Sequence, residues 1–100
     1  MSIQVFPDEK ALALACRRRH IRRLALFGST LRGTSRADSD LDLLVEFEPG
    51  HEPGLLRLAN IGAELSALAG GRAVDLRTSQ DLSRRFRDEV ERAAEVQFEA

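Results

Sequence analysis

Residues 24–45 read Leu24-Ala25-Leu26-Phe27-Gly28-Ser29-Thr30-Leu31-Arg32-Gly33-Thr34-Ser35-Arg36-Ala37-Asp38-Ser39-Asp40-Leu41-Asp42-Leu43-Leu44-Val45. The four apolar residues before Gly28 form a short run stopped by a glycine, the pattern of a buried strand. Gly28 to Asp38 is rich in Gly, Ser, Thr and Arg and reads as a loop with room for one helical turn. Leu41 to Phe47 reads as a second strand. Because side chains alternate along a strand, Asp40, Asp42, Leu44 and Glu46 point one way, and Leu41, Leu43, Val45 and Phe47 the other.

Upstream, Pro7-Asp8-Glu9 opens a helix, since proline suits a first turn and acids there complement the helix dipole. Leu12, Ala15 and Cys16 share one face of it, and Arg17-Arg18-Arg19-His20 marks its end. Downstream, Glu48 to Gly54 is a Pro/Gly-rich connector containing His51, which reads as plain surface. Leu55, Leu58, Gly62, Leu65 and Leu68/Ala69 recur with helical period, and Gly70-Gly71 ends that helix. Ala73 to Arg77 predicts a third strand. Thr78 or Ser79 caps a last helix with Leu82, Phe86, Val90 and Ala93 on its buried side. Residues 1–6 and those after Val96 read as tails. The order α-β-β-α-β-α predicts an α/β (α+β) fold, a small mixed sheet flanked by helices.

Composition narrows the class. One hundred residues suit a single domain spanning 1–100, with its core at about 8–98. The chain is 43% hydrophobic and 31% charged, as in soluble globular proteins, and no apolar run approaches the ~20 residues of a membrane span. With no signal peptide visible and a lone Cys16, which reads as a buried small hydrophobe, the expected compartment is the cytoplasm. A net charge of −1 offers no global basic field for nucleic acid, and five Phe with no Trp or Tyr leave little for base stacking. The basic run Arg17–Arg23 reads as a solvated helix end, with a partner- or RNA-facing patch as the alternative.

The chemistry rests on carboxylates. Asp40 and Asp42 project from one strand face, roughly 6–7 Å apart, and repel unless a cation lies between them. Mg²⁺ is commonly held by one or two carboxylates plus substrate phosphates. Asp75 lies between the core-facing Val74 and Leu76, so it shares the face of the pair if the two strands are adjacent. Three such carboxylates suit two metals at ~3.5–4 Å, the arrangement for in-line displacement at phosphorus. Gly28 and Ser29, at a strand end, present backbone N–H groups and a hydroxyl to an anion, and Arg32 adds a charge-assisted contact. Two other readings fail on single residues. An EF-hand begun at Asp38 would need glycine at Leu43 and glutamate at Pro49. A P-loop would need lysine at Thr34.

Gly28-Ser29, ten intervening residues, Asp40-Leu41-Asp42 and a later lone Asp75 on a strand resemble the signature of the polymerase-beta-like nucleotidyltransferase superfamily. The stretch 24–45, with Ala73–Arg77 and Asp81-Leu82-Ser83, is similar to its smallest branch, the minimal nucleotidyltransferases, commonly antitoxins paired with a helical HEPN-type RNase toxin. The resemblance implies transfer of AMP from ATP, with Mg²⁺, to a hydroxyl of that toxin. By matching position it implies Asp40, Asp42 and Asp75 as metal ligands and catalytic carboxylates, Asp75 helping to activate the acceptor. Gly28, Ser29 and Arg32 would bind the triphosphate. The nucleotide-binding core uses up the length available, so the acceptor is expected to come from a partner protein. Two other functions stay open: an antitoxin that neutralises by occlusion alone, and nucleotidyl transfer to a small molecule or RNA end.

Overall fold

The computed structural model describes residues 5–27, 40–78 and 94–100. Helix α1 spans Glu9–Arg18, capped by the Asp8 carboxylate, which accepts from the Ala11 N–H at 3.0 Å. Glu9 in its first turn and Arg17 and Arg18 in its last complement the dipole. Strand β1 is Ile21–Phe27 and β2 is Leu41–Phe47. Helix α2 is Leu55–Leu68, followed by β3, Val74–Thr78, and β4, Glu95–Glu99. The sheet order is β3-β2-β1-β4, with β1 antiparallel to β2 and β4 and β2 parallel to β3. The expected mixed sheet is therefore present. The helix expected after Thr78 lies outside the described residues.

The parallel pair follows from the connection: α2 carries the chain back across the sheet so that β3 runs alongside β2 in the same direction. Gly70 and Gly71 make the stop at φ 75° and 90°, a left-handed backbone that disfavours other residues. Leu24, Leu26, Leu41, Leu43 and Val45 face Leu12 and Cys16 of α1 and Ile61 and Leu65 of α2 in one buried core. Phe27 and Leu44 are buried on the opposite face beside Ala94, so the outer face is not wholly polar.

Four expectations change. β1 begins at Ile21, not Leu24: Ile21 is buried opposite Phe47, and a register shift between Ile21 and Arg23 lets Arg22 and Arg23 both reach Glu46, each at 3.2 Å. The basic run is thus divided between a helix end and a strand. Both ends taken as tails include ordered core: Phe6 is buried, and Glu95–Glu99 pairs with β1 while placing Phe98 in the core. Alternating Glu-Val-Gln-Phe-Glu is a short strand signal that its terminal position masked. Finally, Leu55 is 87% exposed, so the buried stripe of α2 starts later and centres on Ile61 and Leu65.

Cys16 is fully buried, and that burial, reinforced by the Glu64 charge, pushes its thiol from 9.0 up to about 12. Below pH 9 folded and unfolded chains both keep the thiol protonated. Above it the unfolded chain ionises first, so stability is lost as pH rises toward 12. Relative to Cys16→Ala, the unfolding free energy is expected to fall by about 1 kcal/mol between pH 9 and pH 10 in urea titrations. Phe98→Ala is expected to cost about 3 kcal/mol in the same assay. Leu14→Ala, at a side chain 65% exposed, is expected to stay within about 0.5 kcal/mol.

Candidate active site

The alternation of β2 decides which groups face which way. Leu41, Leu43 and Val45 enter the helix-side core, with Val74 and Leu76 of β3 packed against it. Asp42 and Asp75, interleaved with them, must face the other side. The register aligns Leu41 with Val74, Asp42 with Asp75 and Leu43 with Leu76. A hydrogen bond from Leu41 N–H to the Ala73 carbonyl, 2.8 Å, ties the starts of the two strands together. The two aspartates are therefore direct cross-strand neighbours on one face, with backbones about 5 Å apart. Asp40, exposed, immediately precedes β2. On the other flank Asp42 is aligned with Phe27, the last residue of β1.

Asp42 is half-buried and Asp75 likewise. Asp75 Oδ2 is engaged by Arg77, 3.3 Å away and two residues along the same strand face. Both side chains are substantially solvated, so this pair is weak and easily exchanged for another cation. Asp40, Asp42 and Asp75 do not converge into a tight triplet: among the described residues, the three-donor group with its ligand atoms all within 4.8 Å is His20, Glu48 and His51. Asp40 is exposed, and Asp42 and Asp75 are half-buried. All their donors are oxygens, the set that suits a hard divalent cation. Gly28, Ser29 and Arg32, expected to hold phosphate, lie outside the described residues.

The nucleotidyltransferase domain family matches the chain over residues 9–98. The chain belongs to that family. Within the nucleotidyltransferases, it is 45% identical over 56 residues to protein adenylyltransferase MntA of Thermococcus cleftensis, covering 56% of this chain and 54% of MntA. It thus spans about half the length of that curated relative. A solved structure assigned as a minimal nucleotidyltransferase is 43% identical, with a TM-score of 0.67 over 88% of this chain and 84% of that one. A toxin–antitoxin structure with AMP-PNP has a TM-score of 0.71, covering 93% of this chain and 74% of that chain. At 20% identity, it is a likeness of fold alone.

In the sequence His20 belongs to the basic run and His51 to the Pro/Gly connector, yet the fold stacks the two rings. Their proximity depends on strand pairing, for which spacing along the chain gives no signal.

The exposed Arg77–Asp75 pair generates a direct prediction. Arg77→Ala is expected to leave the far-ultraviolet spectrum unchanged and to shift the unfolding free energy by less than about 1 kcal/mol in urea titration.

Proposed function

We propose that the chain is a Mg²⁺-dependent nucleotidyltransferase that moves AMP from ATP to a hydroxyl of a partner protein, acting as the antitoxin against a HEPN-type toxin. The observation that carries this reading is the in-register pairing of Asp42 with Asp75 on one sheet face. Membership of the nucleotidyltransferase domain family and the likeness to an adenylyltransferase support it. A toxin–antitoxin structure with a nucleotide analogue among the fold neighbours agrees with it.

In this reading Asp40, Asp42 and Asp75 hold Mg²⁺. When bound, the metal neutralises charge on the triphosphate and on the attacking and leaving oxygens. Gly28 and Ser29 cradle the terminal phosphates through backbone N–H groups and a hydroxyl, and Arg32 adds a fork of donors. Asp75, at the solvated rim, accepts the acceptor hydroxyl's proton as its oxygen attacks the α-phosphorus. Pyrophosphate leaves on the opposite side. Arg77 keeps Asp75 oriented until substrate arrives. A partner's hydroxyl would reach this face from solvent, consistent with the exposure of Asp40 and the partial exposure of Asp75. Transfer within a reducing cytoplasm fits the free thiol of Cys16.

The test is incubation with α-labelled ATP, Mg²⁺ and a co-encoded partner. Label is expected on the partner, with Asp42→Asn and Asp75→Asn each lowering its rate at least 100-fold while the fold persists by circular dichroism. Full neutralisation of the partner by unlabelled Asp42→Asn protein would overturn the catalytic reading in favour of occlusion. Label appearing on RNA or a small molecule instead would overturn the choice of acceptor.

A further inference from the structure

We propose that His20, Glu48 and His51 form a metal site for a borderline transition-metal dication of the zinc class. It lies at the end of the β1–β2 pair remote from the aspartates. From Asp42 to Glu48 the strand advances six residues, about 20 Å, so this group is separate from the face that carries Asp42 and Asp75. The inference does not rest on the nucleotidyltransfer reading.

Three pieces of chain meet here. His20 ends the turn from α1 into β1, Glu48 follows β2, and His51 lies in the connector to α2. The Glu48 N–H donates to the His20 carbonyl at 2.9 Å, and the His51 N–H donates to the Glu48 carbonyl at 3.0 Å. Gly50, at φ 82°, makes the turn that brings His51 back over Glu48. His20 itself has φ 59°, and among the described residues it is the one non-glycine in that region. Such a backbone persists where its surroundings over-determine it, and here the β1–β2 pairing on one side and the α1 end on the other do so. The main chain, not the side chains, thus sets the three donors side by side.

The donors then have the right chemistry. Nδ1 of His20 is 3.0 Å from Oε2 of Glu48, and the two imidazoles stack with centroids 3.9 Å apart and planes 15° from parallel. One ligand atom from each of the three lies within 4.8 Å of the others. Donors around a tetrahedral zinc sit about 3.3 Å apart, given bonds near 2.0–2.1 Å. Binding would unstack the two imidazoles, because a metal lies in the plane of each ring it ligates, and side chains this exposed can turn to close that gap. Two imidazoles and one carboxylate favour zinc, cobalt or nickel over magnesium or calcium, which prefer all-oxygen shells. Three protein ligands leave the fourth position to water on the exposed side. A bound ion would clip the α1–β1 turn to the β2–α2 connector.

The experiment uses the full chain without a histidine tag, stripped of metal by chelator dialysis. Calorimetric titration with zinc chloride is expected to show one equivalent bound, with cobalt giving a visible absorption band and a tenfold excess of Mg²⁺ failing to displace either. His51→Ala and Glu48→Gln are each expected to weaken zinc binding at least tenfold. So is His20→Asn, chosen because asparagine tolerates the left-handed backbone. Leu14→Ala, an exposed substitution on α1, should leave zinc affinity unchanged. Zinc binding that survives undiminished in the His20→Asn/His51→Ala double variant, or that is lost in Leu14→Ala, overturns the proposal. So does an absence of zinc binding in parent protein whose circular dichroism shows it folded.

Discussion

The alignment of β3 on β2 is the constraint from which the rest of the molecule follows. In a parallel pair buried on one face, a slip of one residue would carry Val74 and Leu76 out of the core and turn Asp75 into it. Burying an unpaired carboxylate costs far more than any contact it would gain. The apolar residues of β2 and β3 therefore hold the two aspartates together: Asp42 and Asp75 are neighbours because Leu41, Leu43, Val74 and Leu76 have nowhere else to go. The site's geometry is a by-product of hydrophobic packing on the other side of the same two strands.

The arginines serve the scaffold in a similar way. Glu64 of α2 accepts from both Arg18 and Arg19 at the end of α1, joining α1 to α2. Glu46 of β2 accepts from Arg22 and Arg23 of β1, and Arg23 also approaches Glu99 of β4. Individually such surface pairs contribute little. Together they set four of the five arginines of the run Arg17–Arg23 against carboxylates. They also place a partly buried carboxylate close to the buried Cys16, one reason that thiol stays protonated.

This nucleotidyltransferase-family domain carries Asp42 beside Asp75 at one end of the β1–β2 pair and two histidines with Glu48 at the other. The first end is formed by strand faces and tolerates like charges because they remain solvated. The second is formed by turns, where a left-handed His20 and Gly50 bend the chain sharply enough to stack two imidazoles. The two ends stand about six residues of strand apart, so a change at one need not disturb the other.

The positions and faces of β2 and β3, the extent of α1 and the stop of α2 at Gly70-Gly71 were legible in the amino-acid order. They follow from local rules: period-two alternation, capping and left-handed glycines act over a few residues. The Ser29-to-Asp40 spacing likewise pointed to the family before any pairing was known. What only the tertiary structure decided is who stands beside whom. That Glu95–Glu99 closes the sheet against β1, that Glu46 and Glu64 absorb four arginines, and that His20 meets His51 all depend on strand order and register. Those are set by the summed burial of the whole core, a quantity to which no short stretch of chain has access.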